Sequence, residues 1–381
     1  MREVVILGST GSIGRQALEI ISDNPTQFKV VAITSAGTDA ELVIRQAKKF
    51  KVSYVGVVNN SDEISAALPG VRVIDGPQAS TEIAALECNI VLNAITGSIG
   101  LGPTLSALGA RNTLALANKE SIVAGGELVM RKAKANQIIP VDSEHSAIWQ
   151  CARAGKLSEI KRLVLTASGG PFKDRSDLSA ITVADALKHP TWSMGAVVTI
   201  NSATLVNKGL EIIEAHHLFK MPYLAIEAVI HPQSVVHSMV EFFDGSTIAQ
   251  ASPPNMKGAI AYALNFPDRL PNATSAIDWK IPHSWSFEPI DTKRFPSIAL
   301  ARHCGEIAGA MPAVFNAANE VAVAAFIEGK LAFSSIVALI EAVVMHFDMR
   351  VPSPLRDLAD VSAIEEDARA LAREHLLRLA P

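Results

Sequence analysis

Runs of β-branched residues alternate with helical patterns over the first 142 residues, and this alternation restricts the fold more than any other feature. In the first helical segment, apolar residues recur at helical spacing at Ile13, Ala17 and Ile20. Strands and helices in alternation form a parallel, doubly wound sheet with helices on both faces. The predicted strands are Val4–Leu7, Phe28–Thr34, Val52–Val58, Asn89–Ile95, Thr113–Ala117 and Gln137–Val141. We therefore predict an α/β fold whose N-terminal Rossmann-like domain spans residues 1–142.

The rest of the chain divides into three further parts. Residues 143–265 mix helical patterns with strand-like runs, and we predict an α+β catalytic domain there. Its strands are expected at Arg162–Ala167, at Ala228–Phe243 and at Ser246–Ala251. Residues 266–296 are rich in proline and lack periodicity, which is typical of a linker. Residues 297–381 have helical spacing and predict a small C-terminal helical bundle.

Charge and cysteine usage exclude several classes of function. The net charge is −4 and the basic residues are dispersed, so we expect no nucleic-acid partner. No uncharged apolar run reaches the ~20 residues needed to cross a membrane, so we expect no membrane association. Cys88, Cys151 and Cys304 are odd in number and form no CxxC pair, which argues against a disulfide framework or a zinc site. The expected compartment is a reducing cytoplasm.

The segment "VVILGSTGSIGRQALEII" places Gly8, Gly11 and Gly14 between a predicted strand and a predicted helix. Glycines allow a tight turn, and the N–H groups at the start of a helix can bind a pyrophosphate. We predict dinucleotide binding here; the alternative is a turn that serves only packing. The next strand leads into Ser35–Ala40, which contains no Lys or Arg for a 2′-phosphate, so these residues leave NADP and NAD both open.

Polar residues at the end of the fifth predicted strand form a second candidate for ligand binding. The segment "LALANKES" brings Asn118, Lys119 and Glu120 to the carboxyl edge of the sheet, where ligands of such folds bind. The same residues also fit the start of a helix, with Asn118 as its N-cap. The sequence alone does not separate the two interpretations.

Asp142 and Glu144 follow the last predicted strand of the first domain and are two residues apart. In a continuing strand they would face the same side. Two carboxylates on one side can bind a hard divalent cation such as Mg²⁺ or Mn²⁺. The alternative is a solvated start of a helix with Ser143 as its cap.

A third carboxylate lies in the helical segment Asn201–Phe219. Asn207, Lys208 and Glu211 are spaced by three and four residues and therefore share one helix face. Either they belong to a metal and substrate site or, as is usual for such spacing, they form a surface ion pair. Gly209 in the same helix lowers helix stability by about 1 kcal/mol relative to Ala. A glycine at this position is explained if a ligand or another backbone approaches closely there.

Two glycine-containing loops complete the candidate set. The segment "TASGGPF" offers Ser168 and a Gly-Gly turn whose N–H groups can meet an anion. The segment "HPTWSMG" (His189–Gly195) joins His-Pro to an aromatic residue and a Gly hinge, as in a loop that closes over a site. His189 also fits a structural histidine, and Trp192 and Met194 also fit core residues.

Eight motifs along the chain resemble, in sequence and in order, those of the 1-deoxy-D-xylulose 5-phosphate reductoisomerase family. They are "LGSTGSIG", "LANKES", "VDSEH", "SGGPF", "HPTWSMG", "NSATLVNKGLEIIEA", "HPQSVVHSM" and "NAANEVAVAAF". The resemblance covers essentially the whole chain. It implies a homodimeric oxidoreductase of isoprenoid precursor biosynthesis by the non-mevalonate route.

The resemblance implies a metal-dependent isomerisation followed by a reduction. Asp142, Glu144 and Glu211 would bind Mg²⁺ or Mn²⁺, which holds the C2 carbonyl and C3 hydroxyl oxygens of the sugar phosphate substrate. The carbon skeleton of 1-deoxy-D-xylulose 5-phosphate would rearrange by retro-aldol cleavage and re-addition to a branched aldehyde. NADPH would then deliver hydride to this aldehyde, giving 2-C-methyl-D-erythritol 4-phosphate.

The resemblance also assigns the remaining site residues. The substrate phosphate would be held by Ser168, His189, Ser202, Asn207 and Lys208, and the sugar by Lys119, Ser143, Glu144 and Glu211. The catalytic residues would be Lys119, Glu144, His189, Lys208 and Glu211. The cofactor-binding residues would be Thr10, Gly11, Ser12, Ile13, Gly37, Asn118, Glu120 and Gly195.

This chain departs from the family pattern at a few positions. Asn201 stands where the family usually has Asp, and "SPPNMKGAI" differs from the usual motif near the nicotinamide side. Gly37 and Thr38 stand where many members carry a Lys that reaches the 2′-phosphate, which leaves the strength of the preference for NADPH over NADH open. Two alternative functions are a simple NAD(P)-dependent dehydrogenase of a phosphorylated sugar and a dinucleotide sensor without catalysis.

Overall fold

The computed structural model describes residues 1–192, 194–348 and 354–379, with Leu379 as backbone only. Ser193, in the predicted closing loop, and residues 349–353 and 380–381, in the predicted helical bundle, lie outside the described residues. The β-strands are β1 (Arg2–Leu7), β2 (Phe28–Ser35), β3 (Tyr54–Val57), β4 (Arg72–Asp75), β5 (Ile90–Asn93), β6 (Thr113–Leu116), β7 (Ile138–Pro140), β8 (Ile160–Ala167), β9 (Ile226–Ile230), β10 (Val236–Phe242), β11 (Thr247–Ala251) and β12 (Glu288–Pro289). The α-helices are α1 (Ser12–Asp23), α2 (Ala40–Phe50), α3 (Ser61–Ala67), α4 (Ala79–Ala84), α5 (Leu101–Gly109), α6 (Lys119–Lys132), α7 (Ser143–Cys151), α8 (Val183–Ala186), α9 (Ala196–Ala203), α10 (Val206–Phe219), α11 (Lys257–Asn265), α12 (Ser297–Ile307), α13 (Met311–Ile327), α14 (Ile336–Asp348) and α15 (Leu358–Leu379).

The chain forms two compact units, each assembled from three segments. Unit 1 comprises Met1–Ser121, Val129–Ser146 and Asn255–Ser275, and unit 2 comprises Ile122–Leu128, Ala147–Pro254 and Ala276–Pro381. This division differs from the predicted boundaries at residues 142, 265 and 296. The segment that contains α11, which the sequence assigns to the catalytic domain over 143–265, lies in unit 1. The predicted linker 266–296 is shared between the two units.

Unit 1 contains the predicted doubly wound sheet. Its seven strands lie in the order β4-β3-β2-β1-β5-β6-β7 and are all parallel. Val4 to Leu7 in the central strand β1 are fully buried, as expected for a strand with both faces covered. The strand order reverses beside β1, and ligands of such sheets bind at that point, beyond the carboxyl ends of the strands.

Six strands of this sheet were predicted from the sequence and one was missed. The missed strand, β4, lies at the edge of the sheet, and none of its residues is buried. An edge strand of this kind lacks the apolar run that marks the others.

The segment of unit 1 that is last in sequence contains α11, which packs on α1. The Arg2 guanidinium holds the end of this helix, because it donates hydrogen bonds to the carbonyl oxygens of Leu264 and Phe266, both at 3.1 Å.

Unit 2 contains a mixed sheet in the order β11-β10-β8-β9-β12. β8 and β9 are parallel, and the other pairs are antiparallel. The prediction of one strand over Ala228–Phe243 is wrong, because β9 ends at Ile230 and β10 begins at Val236. The buried His231 ring makes this break: its Nε2 accepts hydrogen bonds from the backbone N–H groups of Val235 and Val236, both at 3.1 Å. β12 lies within the predicted linker and pairs with β9.

The predicted C-terminal helices are present as α12 to α15. Helix α13 is buried along most of its length and contacts α12, α14 and α15. Together with α10 and the sheet of unit 2, these helices enclose one large apolar core. Among the described helices, none is both long enough and apolar enough to span a membrane.

Candidate active site

The glycine turn of unit 1 is built so tightly that side chains are excluded from it. Gly8 has a φ of +81°, and a Cβ there would lie 2.6 Å from the carbonyl oxygen of Ala94. A Cβ at Gly14 would lie 2.3 Å from the carbonyl oxygen of Gly8. Gly11 is the N-cap of α1 and makes no side-chain cap hydrogen bond. The turn therefore presents backbone N–H groups at a helix start, as anion binding requires.

Gly37 follows β2, and its local geometry explains the absence of a larger residue there. Its φ is +77°, and a Cβ would lie only 2.1 Å from the carbonyl oxygen of Asn59. The Gly37 carbonyl oxygen also accepts a hydrogen bond from Nδ2 of Asn60 at 2.9 Å. A lysine at this position would collide with the neighbouring backbone, so any charge on a 2′-phosphate must be met from elsewhere.

The interpretation of Asn118 as an N-cap is confirmed. Its Oδ1 accepts the backbone N–H of Ser121 at 3.0 Å at the start of α6. Its Nδ2 lies 2.8 Å from the carbonyl oxygen of Ile95 and 2.9 Å from that of Gly97, and 2.8 Å from Oε2 of Glu120. The buried amide therefore fixes the start of α6 against the loop after β5, at the carboxyl edge of the sheet.

Asp142 and Glu144 lie at a helix start, which was the alternative to a continuing strand. β7 ends at Pro140 and α7 begins at Ser143. The two residues nevertheless offer carboxylate oxygens within 4.8 Å of one another. Nζ of Lys119 lies 2.7 Å from Oδ2 of Asp142, and Ser143 donates its hydroxyl to Oε2 of Glu144 at 2.6 Å.

The electrostatic surroundings of Asp142 favour its ionised form. Burial by itself would raise the pKa of this carboxyl, but the ammonium of Lys119 and the ring of His145 outweigh burial, and the pKa is lowered. Nδ1 of His145 is 3.9 Å from Oδ2 of Asp142. His145 was not predicted from the sequence, although its position three residues after Asp142, one helical turn along, would have indicated it.

In unit 2, Lys208 and Glu211 of the predicted stripe on α10 are buried and Asn207 is half-buried, so the interpretation as a surface ion pair is wrong. The side chains of Lys208 and Glu211 are only 3% and 1% exposed, and the two form an ion pair. The Lys208 ammonium also donates to the carbonyl oxygen of Thr166, and Asn207 donates its amide to Glu211. Burying such charges costs free energy unless hydrogen bonds and opposite charges compensate them. Buried charges held in a network of this kind are common at functional sites.

His189 joins two predicted serines into one cluster. Its Nε2 lies 3.0 Å from Oγ of Ser168 and 3.1 Å from Oγ of Ser202. Its Nδ1 accepts the backbone N–H groups of Thr191 and Trp192, at 3.2 and 2.9 Å. Because Nδ1 is an acceptor, the ring is the neutral tautomer with its proton on Nε2, and burial lowers the pKa of His189.

This cluster has the chemistry of an anion site. Gly169 and Gly170 both have positive φ, and the N–H of Gly170 donates to Oγ of Ser168 at 3.3 Å. A Cβ at Gly170 would lie 2.9 Å from the carbonyl oxygen of Ser202. The turn, two hydroxyls and an imidazole N–H thus converge in unit 2 on one place, where they can donate to phosphate oxygens.

Two further polar residues lie near the predicted set without having been predicted. Nε2 of His237 is 3.0 Å from Oγ of Ser252, and the His237 ring lies 6.0 Å from that of Trp192 in the predicted closing loop. Burial is the main reason that the pKa of His237 is lowered to about 4. Gly195 is the N-cap of α9, which carries Ser202.

Models of one protein family match nearly the whole chain. Residues 4–126 match 1-deoxy-D-xylulose 5-phosphate reductoisomerase. Residues 138–219 match the 1-deoxy-D-xylulose 5-phosphate reductoisomerase C-terminal domain, and residues 251–371 match the DXP reductoisomerase C-terminal domain.

Curated relatives and solved structures carry the same name. The 1-deoxy-D-xylulose 5-phosphate reductoisomerase of Kitasatospora griseola is 53% identical over 382 residues, covering 97% of this chain and 99% of the relative. That of Streptomyces coelicolor is 50% identical, covering 98% and 92%. A reductoisomerase from Zymomonas mobilis in complex with NADPH has a TM-score of 0.91 at 37% identity, covering 98% and 99%.

A second solved structure is DOX-P reductoisomerase in complex with NADPH, fosmidomycin and magnesium. It has a TM-score of 0.93 at 35% identity and covers 100% of both chains. This agreement extends over the sheet of unit 1, the sheet of unit 2 and the C-terminal helices. The chain belongs to the 1-deoxy-D-xylulose 5-phosphate reductoisomerase family.

Proposed function

We propose that this protein converts 1-deoxy-D-xylulose 5-phosphate to 2-C-methyl-D-erythritol 4-phosphate with NADPH and a divalent metal ion, a step that supplies isoprenoid precursors. The single observation that carries the proposal is the relationship to the reductoisomerase of Kitasatospora griseola, 53% identical over 97% of this chain. The buried polar networks around Asp142 in unit 1 and around Lys208 in unit 2 supply the chemistry that this reaction needs.

We propose that Asp142, Glu144 and Glu211 bind the metal ion. The donor set consists only of carboxylate oxygens, which suit Mg²⁺ or Mn²⁺ and not a soft metal. When bound, the ion supplies Lewis-acid polarisation of the substrate carbonyl and a template for its oxygens. Lys119, whose ammonium pairs with Asp142, and Ser143, which donates to Glu144, would contact the sugar hydroxyls; their contacts with these two carboxylates support this role.

The phosphate of the substrate fits the cluster of unit 2. Ser168 and Ser202 offer hydroxyls, His189 offers its Nε2 proton, and Lys208 offers a buried positive charge. Asn207 adds an amide on the same face of α10. These groups would orient the substrate by its phosphate and exclude water around it, so that the reacting carbons are held in one geometry.

NADPH would bind at the glycine turn and supply the hydride. The cofactor-binding residues proposed are Thr10, Gly11, Ser12, Ile13, Gly37, Asn118, Glu120 and Gly195. The N–H groups of the turn suit the pyrophosphate. Gly37 would contribute through its backbone, since its position admits no side chain.

We also propose a homodimer in the cytoplasm. β11 is an edge strand, and within the described residues it pairs only with β10. Ile248 on this strand and Phe243, which directly follows β10, are exposed apolar side chains. An edge strand also offers unpaired backbone groups to a second copy. Cys88, Cys151 and Cys304 are all free thiols, which fits a reducing compartment.

The decisive assay follows NADPH absorbance with 1-deoxy-D-xylulose 5-phosphate, with and without EDTA. We expect turnover with Mg²⁺ or Mn²⁺ and loss of turnover in EDTA. Glu211→Gln should lower kcat by a factor of at least about 10², because an anionic ligand is removed, while the Kd of NADPH stays within about twofold. The exposed Glu366→Gln is the matched control and should behave as wild type.

Each rival function predicts a different result in this assay. Turnover that persists in EDTA would favour a simple dehydrogenase without rearrangement. NADPH binding without any NADPH consumption would favour a dinucleotide sensor. Full activity of Glu211→Gln would contradict the proposed metal ligand while leaving the reaction itself in place.

A further inference from the structure

Gln46 on α2 makes a reciprocal hydrogen-bonded pair with Ser9 in the glycine turn of unit 1. The Ser9 hydroxyl donates to Oε1 of Gln46 at 2.8 Å, and Nε2 of Gln46 donates to the backbone carbonyl oxygen of Ser9 at 2.9 Å. Ser9 is fully buried and Gln46 is only 7% exposed. The two residues are 37 positions apart in sequence, so this pair exists only in the folded unit.

The pair determines which way the peptide unit between Ser9 and Thr10 points. A peptide unit is planar, and its C=O and N–H groups point in opposite directions. Since the Ser9 carbonyl is held towards α2, the N–H of Thr10 is directed away from α2. The turn is also tied to β2, because the backbone N–H groups of Gly8 and Ser9 both donate to the carbonyl oxygen of Thr34, at 3.0 and 2.8 Å.

Packing alone would not call for a glutamine at this position. The other buried residues of α2 are Ala40, Val43 and Ala47, and an apolar side chain of similar length would fill the same space without the cost of burying an amide. The amide instead pairs with the hydroxyl and with the carbonyl oxygen of Ser9. A buried hydrogen-bonded pair of this kind fixes one backbone conformation where apolar packing would permit several.

We infer that Gln46 is a positioning residue for the dinucleotide: through Ser9 it holds the Thr10 amide in the orientation that meets the pyrophosphate. Gln46 itself does not touch the cofactor in this arrangement. The inference rests on the proposed function, because it takes the glycine turn as the NADPH site.

The test is the affinity for NADPH of Gln46→Met, measured by fluorescence titration without substrate. Methionine keeps the length of the side chain but makes neither hydrogen bond. We expect the Kd of NADPH to rise about tenfold, because, of the two lost bonds, the one to the Ser9 carbonyl fixes the orientation of the Thr10 amide. At saturating NADPH, kcat and the KM of the sugar phosphate should stay within about twofold of wild type, since Gln46 acts through Ser9, which is not among the proposed substrate-binding residues.

Gln137 provides a matched control in the same unit. It is also 7% exposed, and its Nε2 donates to the carbonyl oxygens of Leu108 and Asn112, both at 3.0 Å. It precedes β7, at the amino ends of the strands and therefore at the opposite edge from the glycine turn. Gln137→Met should lower the melting temperature about as much as Gln46→Met does and leave the Kd of NADPH unchanged.

A second variant, Gln46→Glu, keeps the shape and one acceptor but removes the donor to the Ser9 carbonyl. It should also weaken NADPH binding, and it replaces Gln46→Met in the comparison if the methionine variant does not fold. Unchanged NADPH affinity in a folded Gln46 variant would overturn the inference and leave the proposed function standing. Failure of the wild-type protein to bind NADPH would instead contradict the proposed function.

Discussion

Gly209 sets the distance between two helices of unit 2. A Cβ at this position would lie 2.7 Å from Cβ of Ala301 and 3.3 Å from the carbonyl oxygen of Ser297, both on α12. Ser297 also donates its hydroxyl to the carbonyl oxygen of Thr204 at 2.8 Å, which holds α12 at the start of α10. The close approach expected from the sequence is therefore that of a neighbouring helix.

Gly209→Ala should destabilise the protein although alanine favours a helix. The gain in helix propensity is about 1 kcal/mol, whereas overpacking costs about 1–3 kcal/mol, so the free energy of unfolding should fall by about 1 kcal/mol. Gly258→Ala in α11 is the matched control, because its nearest neighbour is Cγ2 of Thr274 at an ordinary 3.5 Å. Urea unfolding followed by circular dichroism measures the free energy of unfolding of both variants. If Gly209→Ala were as stable as wild type or more stable, the prediction would be wrong, and α12 would be able to move away from α10.

At the scale of elements, α10 meets α6 through a histidine and a glycine. A Cβ at Gly126 would lie 2.4 Å from Nε2 of His217, so the imidazole packs where α6 has no side chain. Beside it, the ring of His216 stacks on that of Tyr223 with 4.2 Å between centroids. Burial and, to a lesser degree, the neighbouring His216 lower the pKa of His217 to about 4.

This contact should make the stability of the protein depend on pH. The unfolded chain binds a proton at His217 near pH 6.5, whereas the folded chain binds it near pH 4. The contribution of His217 to the free energy of unfolding is therefore largest above pH 6.5, falls as the pH drops below that value, and levels off below about 4. The loss is on the order of 1–3 kcal/mol.

The measurement compares the free energy of unfolding at pH 7 and at pH 5 for three proteins. His217→Gln should show a smaller decrease than wild type, whereas the exposed His283→Gln should show the same decrease as wild type. A decrease in His217→Gln as large as that of wild type would mean that other groups cause it.

At the scale of the whole molecule, the proposed homodimer should depend on the exposed edge of the unit 2 sheet. Ile248→Asp places a charge on β11 where a second copy would bury an apolar side chain, and an unpaired buried charge is strongly unfavourable. Light scattering after size exclusion should give twice the 40.5 kDa chain mass for wild type and a lower mass for the variant. Leu377→Asp, at an 81% exposed residue of α15, is the control and should keep the wild-type mass. A monomeric wild type, or a dimeric Ile248→Asp, would contradict the proposal.

The sequence predicted the elements whose residues carry their own local signal. Buried parallel strands such as β1 are apolar along their length, and the helices of the C-terminal region have clear periodicity. The glycine turn and the Asn118 cap were likewise visible, because the glycine spacing and the pattern of a helix start indicate them. The roles expected for Ser168, His189 and Lys208 came from the resemblance to the family. The edge strand β4 and the break at His231 were missed, since exposure removes the apolar pattern in one and a side chain ends the strand in the other.

The sequence by itself determined most of the buried strands and helices and the family to which the chain belongs, because these depend on patterns within short segments. Only the tertiary structure decided that α11 packs in unit 1, that Lys208 and Glu211 are buried, and that Gln46 holds Ser9. Each of these depends on contacts between residues far apart in the chain, and such contacts are fixed only when the elements pack against one another.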